Sequence, residues 1–342
     1  MTIVLTGGGT GGHLNIVRCL LQSAIKKNIN CIYIGSQNGQ DKAWFENESA
    51  FKEKFFLNSC GVVNQNKISQ IYSLIHILKL SQDCKKIFKS HNIKAVFSVG
   101  GYSAAPASFA ALFSHLPLFI HEQNSKSGSL NLLLKPFAKK FFSAFEKEFT
   151  PYPIADKFFN YARIRKEIKN IIFLGGSQGA QFINDLALNL APKLQKQNIN
   201  IIHQCGKNDF EKCQKKYQSL NIQADLFDFT PNLEKKMQQA DLAISRSGAS
   251  TLFELCANNL PAIFIPYPYA AKNHQYFNAK FLQDQALCKI FTQNNINLDI
   301  LFQTILNLNL EDISTRLKNI AQKNGAELLL NKALFNDPTF IR

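Results

Sequence analysis

TIVLTGGGTGGHLN, residues 2–15, joins a short apolar run to five glycines within six positions and ends where helical spacing begins. That order is the strand–loop–helix unit of a parallel α/β sheet. Glycines let backbone N–H groups come close to an anion, and the N-terminus of the following helix adds a partial positive charge. Three ligands suit such a loop: a dinucleotide, a nucleoside triphosphate, or the diphosphate of a sugar donor or acceptor. Gly7-x-Gly9-x-x-Gly12 formally matches the dinucleotide fingerprint, but the second strand runs into Gly35, Ser36 and Gln37 with no acid before Asp41. The ribose-binding partner of that fingerprint is therefore missing. No lysine follows the glycines, which removes the triphosphate loop. A sugar diphosphate remains, beside the simpler reading of a tight turn capped by Thr10.

Working outward, segments 2–6, 30–35, 94–100, 117–122, 170–176, 200–206, 241–247 and 261–266 read as buried parallel strands. Helical periods occupy 14–27, 67–90, 103–114, 181–196 and 249–258. The order of features repeats. Strand, glycine loop and helix occur at 2–27 and again at 170–196, and each half later runs strand–Gly–helix into Leu-Pro and a further strand. The expected fold is α/β, with two Rossmann-like, doubly wound parallel-sheet domains facing across a cleft. The boundaries expected are 1–155, 165–325 and a tail, 326–342, packing back toward the N-terminal half. The charged, proline-bearing stretch 150–167 reads as the linker.

Lys+Arg exceeds Asp+Glu by 39 to 24, a net charge of +15. This suits an anionic partner. Only six of the basic residues are arginine, and no aromatic–basic stacking motif accompanies them, so no nucleic-acid partner is expected. The lysine-, asparagine- and isoleucine-rich usage also fits an AT-rich genome. The eight cysteines are scattered singly without metal-ligand spacing; no metal or cofactor is expected, and a reducing cytoplasm fits. The first apolar run lacks a basic leader, and no apolar run reaches the roughly 18 residues of a membrane span. Membrane contact, if made, is expected to be peripheral.

The two glycine loops, taken with HEQN (121–124), SRSGASTLFE (245–254) and AAKNHQYFNA (270–279), resemble one family across nearly the whole chain. It is the MurG family of peptidoglycan N-acetylglucosaminyltransferases, glycosyltransferase family 28, which make lipid II from lipid I. The resemblance implies the glycosyltransferase-B fold, with an N-terminal acceptor and membrane-facing domain and a C-terminal donor domain. It implies UDP-N-acetylglucosamine as donor and undecaprenyl-diphosphate-N-acetylmuramoyl-pentapeptide as acceptor. The implied reaction is a metal-independent, inverting transfer to the acceptor's C4 hydroxyl at the cytoplasmic face of the bacterial inner membrane.

Carried over residue by residue, Thr10, Gly11 and Gly12 would line the donor and acceptor phosphates, and His13 would stand near the reacting hydroxyl as general base or hydrogen-bond donor. Asn124 would contact the donor sugar, and Ser177 a phosphate. Thr230 would mark the uracil-pairing backbone, Glu254 would hold both ribose hydroxyls, and His274 with Gln275 the transferred sugar. Thr251-x-x-Glu254 equally matches a capping box. One departure is Ala155, at a place where the family often has arginine; Arg163 and Arg165 lie nearby, and neither is assigned that role.

Ile68, Ile71, Tyr72, Ile75 and Leu78 recur at helical spacing, followed by Lys79, Lys85, Lys86 and Lys89. Such a stripe is either a core face or an apolar patch for an anionic phospholipid surface, with Phe109 and Phe113 as companions. Alternatives to the main reading are a transferase of the same fold acting on another lipid such as diacylglycerol, a sugar-nucleotide epimerase, and an NAD-linked oxidoreductase.

Overall fold

The computed structural model describes residues 1–61, 66–146, 149–176 and 179–335. The chain forms two compact units: Met1–Ile154 with the segment from Asn324 onward, and Ala155–Lys323. In the first unit the strands are β1 (Thr2–Thr6), β2 (Asn30–Ser36), β3 (Glu53–Leu57), β4 (Ile93–Ser98), β5 (Leu118–Glu122) and β6 (Lys140–Ser143). They form one six-stranded sheet in the order β3-β2-β1-β4-β5-β6. The second unit holds β7 (Asn170–Leu174), β8 (Asn200–Gln204), β9 (Ala224–Phe227), β10 (Leu242–Ser245), β11 (Ala262–Phe264) and β12 (Cys288–Ile290). Its order is β12-β11-β10-β7-β8-β9. Counted from the start of each unit, both sheets have the doubly wound order 3-2-1-4-5-6. The repeat of motifs in the sequence is thus a repeat of topology, and all pairings are parallel.

The central strands are buried on both faces, as parallel strands covered by helices must be. Ile3, Val4, Leu5, Ile171, Ile172 and Phe173 have no exposed surface. The four edge strands are different: β3, β6 and β9 are half-buried over much of their length, and β12 has three residues. β3, β6, β9 and β12 are absent from the strands expected above.

In each sheet the chain reverses its winding between the first and fourth strands, β1/β4 and β7/β10. Ligands of open α/β sheets bind beyond the carboxyl ends of the strands at this switch point. Glycines gather there: Gly7–Gly12 after β1, Gly100 and Gly101 after β4, Gly175, Gly176 and Gly179 after β7, and Gly248 after β10.

The stretch read as a linker is largely built into the second unit. Asp156–Asn160 is helical, and Arg165 has no exposed surface. Its guanidinium donates to the carbonyls of Met237 (2.9 Å), Ala240 (3.2 Å) and Arg163 (2.7 Å), to Asn258 Oδ1 (2.5 Å) and to the Asn258 carbonyl. Arg163 donates to Gln238 O at 2.7 Å and pairs with Asp241 at 2.6 Å. The two arginines collect the carbonyls at the end of the helix Leu233–Gln239, where cations are favoured. Burial lowers the Arg165 pKa to about 9, so it stays charged at neutral pH. Both guanidiniums are engaged with protein carbonyls, and Arg163 also with the Asp241 carboxylate, rather than left as spare cations.

Among the described residues no helix is long and apolar enough to cross a membrane. The helix Lys67–Ser90, capped by Asn66 Oδ1 accepting from Ser69 N at 2.8 Å, turns Ser73, Ile77, Ser81, Cys84 and Phe88 inward. Ile68, Ile71, Tyr72, Leu74, Ile75 and Leu78 are 45–70% exposed. The more apolar face points outward, which is opposite to a core-facing stripe.

Replacing Arg165 by methionine orphans several buried carbonyls. We expect Arg165→Met to lower the unfolding free energy of the second unit by roughly 3 kcal/mol or more, read as a shift in denaturation midpoint.

Candidate functional site

The first glycine loop is held from two sides. Asp41, with no exposed surface, accepts from Gly9 N at 2.6 Å, Ser36 N at 3.0 Å and the Tyr33 hydroxyl at 3.1 Å. That hydroxyl also lies 3.0 Å from Gly7 O. The first acid after β2 is therefore a clamp on the loop, not a ribose ligand, which removes the remaining support for dinucleotide binding. On the other side, Gly8 N donates to Gly100 O at 3.3 Å. Gly101 has φ +80°, and a Cβ there would lie 2.3 Å from Gly8 O. A Cβ on Gly9 would meet the Tyr102 ring at 2.7 Å, and the Tyr102 hydroxyl donates to Asn38 O. A Cβ on Gly7 would lie 2.4 Å from Val99 Cγ2 and one on Gly8 2.3 Å from Asp41 Oδ2, so Gly7, Gly8 and Gly9 are each closed in by their neighbours.

Thr10 is the N-cap of the helix Gly11–Lys26, in extended conformation. Its hydroxyl does not cap. It lies 2.9 Å from His13 Nδ1, while His13 Nε2 lies 2.9 Å from Gln123 Nε2. Gly11 and Gly12 form the first helical turn, at the positive end of the dipole. Thr10, Gly11, Gly12 and His13 are brought together with the HEQN segment, and Gln123, which the sequence reading passed over, is the residue that joins them.

Within HEQN, Glu122 is 2% exposed. It accepts from Asn124 N (2.9 Å), Gly128 N (2.9 Å) and Asn131 Nδ2 (2.9 Å). This carboxylate shapes the loop that carries Asn124, which is half-buried. His121 is buried against Tyr152, ring centroids 5.5 Å apart and edge to face, and neither ring nitrogen has a hydrogen-bond partner among the described residues. Burial first, then the charge of His13, drives its pKa down to about 3, so His121 is neutral.

In the second unit, Gly176 and Gly179 have φ +92° and +77°, and a Cβ on Gly179 would lie 2.4 Å from Cys205 O. Ser177 lies outside the described residues. Glu254 projects from the helix Ala249–Ala257, whose N-cap is Gly248. Thr251 is thus the third helical residue and cannot form the capping box with Glu254. At 8% exposure, Glu254 has its pKa pushed up to about 7, by burial first, with Lys157 opposing and Glu234 reinforcing. Lys157 itself pairs with Glu234 at 2.8 Å and donates to Pro231 O at 2.6 Å. Thr230 is half-buried one residue before Pro231, its hydroxyl accepting from Asn232 N at 3.1 Å.

The segment before the helix His274–Gln283 carries two consecutive left-handed residues, Lys272 and Asn273, both at φ 53°. Such backbone strain persists only where its surroundings enforce it. His274 Nδ1 lies 2.8 Å from Ala271 O, and Gln275 Oε1 accepts from Tyr267 N at 3.0 Å. Ser247 Oγ donates to Gln275 O at 2.8 Å, joining the β10 loop to this helix. Arg246, also not singled out from sequence, is 8% exposed. It donates to Ile265 O (3.0 Å), Pro266 O (3.1 Å) and Gln293 (2.8 Å), and burial lowers its pKa to about 10. Glu254, Thr230, His274 and Gln275 all stand on segments at the carboxyl side of this second sheet.

Comparison with known proteins agrees with this fold. The glycosyltransferase family 28 N-terminal domain matches residues 3–143 and the family 28 C-terminal domain residues 170–332. The UDP-N-acetylglucosamine–N-acetylmuramyl-(pentapeptide) pyrophosphoryl-undecaprenol N-acetylglucosamine transferase of Campylobacter jejuni is 82% identical over all of both chains. The protein of that name from Wolinella succinogenes is 53% identical over 89% of this chain and 91% of its own. Among solved structures, Acinetobacter baumannii MurG aligns with TM-score 0.80 and 26% identity, covering 97% of this chain and 99% of that one. The chain belongs to glycosyltransferase family 28, and within it to the N-acetylglucosamine transferases of the MurG type.

Proposed function

We propose that this chain transfers N-acetylglucosamine from UDP-N-acetylglucosamine to the C4 hydroxyl of undecaprenyl-diphosphate-N-acetylmuramoyl-pentapeptide, with inversion. The observation that carries the reading is the pairing of two different ligand-binding ends on one topology. The first unit offers a helix N-terminus beside a hydrogen-bonded histidine. The second offers a glycine loop with a buried carboxylate and a Gln/His helix start. Thr10, Gly11 and Gly12 meet the acceptor diphosphate. Ser177 and its loop meet the donor diphosphate, Glu254 the two ribose hydroxyls, the backbone at Thr230 the uracil, and Asn124, His274 and Gln275 the donor sugar.

In the tautomer where Gln123 donates, His13 Nε2 carries the lone pair and Nδ1–H donates to Thr10. The acceptor hydroxyl replaces Gln123 at Nε2 and gives up its proton there as its oxygen attacks the anomeric carbon. The C1–O bond to UDP breaks with its electron pair staying on the diphosphate, where loop N–H groups and the dipole of the helix Gln181–Lys196 stabilise the charge. The acceptor is lipid-linked, and we place the protein peripherally on the cytoplasmic face of the inner membrane. The outward Ile68–Leu78 face and Phe113, itself 45% exposed, contact anionic phospholipid there.

The direct test is transfer of labelled N-acetylglucosamine to a lipid I analogue in EDTA, with diacylglycerol in parallel. Label should move to the lipid I analogue alone; transfer to diacylglycerol instead would replace the acceptor assignment. His13→Ala should lower turnover by roughly 10²-fold or more with donor affinity unchanged; turnover near that of the parent would remove His13 as base.

Glu254 gives a pH dependence of definite sign. Its ionised form accepts both ribose hydroxyls, and its pKa near 7 in the free protein means that only about a tenth is ionised one pH unit below. Donor affinity should therefore rise about tenfold between pH 6 and pH 8, with proton release on binding below pH 7. In Glu254→Gln affinity should be weak and flat with pH. A parent profile equally flat would show that the carboxylate does not hold the ribose.

A further inference from the structure

A second apolar element in the first unit is not absorbed by the site. The short helix Ser129–Leu134 and the turn Lys135–Phe137 leave Leu132, Leu133 and Phe137 exposed to 55%, 57% and 64%. Their inner neighbours are fixed. Asn131 is 3% exposed and donates to Glu122. Leu134 packs in the core cluster with Val96, Leu118 and Ile120. The helix is thus pinned from inside by Glu122, the carboxylate that shapes the Asn124 loop, and with Asn131 and Leu134 held inward Leu132 and Leu133 face out. Exposed lysines flank it at Lys126, Lys135 and Lys139. Lys135 also lies 4.3 Å over the Phe141 ring, and its ion pair with Glu146 balances a single acid. Leu130 and Leu134 pack in the same cluster as Phe109 and Leu112 of the helix Ala105–Phe113, which also carries exposed Phe113.

From this arrangement we infer that Leu132, Leu133 and Phe137 form a second lipid-inserting element, dipping into the anionic leaflet that carries the acceptor's polyprenyl chain. Large apolar side chains ringed by lysines match the boundary between headgroups and acyl chains. An acceptor anchored in that leaflet supplies the occupant, since the loop beside Asn124 must work next to the membrane surface. The inference rests on the membrane reading given for the Ile68–Leu78 face but concerns different residues.

The test compares the full chain with two variants in sedimentation with vesicles of phosphatidylglycerol and phosphatidylcholine. One variant combines Leu132→Ser, Leu133→Ser and Phe137→Ser; the other combines Ile71→Ser and Ile75→Ser. All changes are on exposed side chains, and thermal unfolding checks that the fold is intact. The triple variant should bind vesicles at least tenfold more weakly. Its turnover should fall with vesicle-embedded acceptor and persist with a short-chain, water-soluble acceptor. Loss of vesicle binding only in the Ile71/Ile75 variant would overturn this inference while keeping the membrane reading. Unchanged binding in both variants would overturn both. A dimer that falls apart in the triple variant, with vesicle binding intact, would assign the surface to a second copy instead.

Discussion

The first unit depends on one close approach: the backbone of Gly8 against the backbone of Gly100 and Gly101. No side chain fits at 2.3 Å from a carbonyl oxygen, so the loops after β1 and β4 can meet only as glycine. Their meeting brings the two strands on either side of the switch point into contact beyond the sheet. Asp41 then fixes what the contact leaves loose, by taking the amide of Gly9. Everything downstream inherits this geometry. The helix starting at Gly11 has its direction set by the clamped loop. His13, one turn in, meets Gln123 on the extension of β5 because β5 lies beside β4 in the sheet.

The doubly wound fold was legible because the central strands of a parallel sheet cannot be anything but apolar. Residues 2–6 and 170–174 have hydrophobic neighbours on both faces, and their runs stand out between glycines. Edge strands have no such obligation. β3 (EKFFL) and β6 (KFFS) begin with charged residues because one side of each is open, and a half-exposed run carries little signal above a loop. The helix 67–90 was legible in its bounds but not in its orientation. Its period was readable but its direction was not, since Ser73 and Ser81 pack inward while Ile68, Ile71 and Ile75 point out. Hydrophobic period locates a face; it does not say whether protein or another apolar phase covers it.

The candidate site shows the same division. The glycines, His13, HEQN and Glu254 were visible as residue types at strand ends. The groups that orient them were not. Asp41 was noticed only as an acid in the wrong place for a ribose, because a buried carboxylate that binds backbone amides has no sequence pattern of its own. Gln123 lies between two residues that were singled out, and its role appears only when the strand end is brought against the helix start. Arg163 and Arg165 looked like spare cations near a gap at Ala155. Their guanidiniums are consumed by backbone carbonyls, a use that charge counting cannot distinguish from ligand binding.

The glycines of the second unit carry a different argument from those of the first. Gly179 is explained internally, since a Cβ would strike Cys205 O. Gly176 and Gly248 are not: a Cβ at either would have nothing within 4 Å. Gly176 at least needs its positive φ. Gly248 sits at φ −60°, a conformation open to any residue, and serine, threonine, aspartate or asparagine would cap its helix better. Neither packing nor backbone conformation asks for glycine there. Glycine at this position leaves the start of the Ala249–Ala257 helix open to close approach. Glu254 lies on that same helix, less than two turns further on, buried yet held near its ionisation point. A ligand spanning the two would present an anion to the helix N-terminus and hydroxyls to the carboxylate, the order of groups from diphosphate to ribose in a nucleotide sugar.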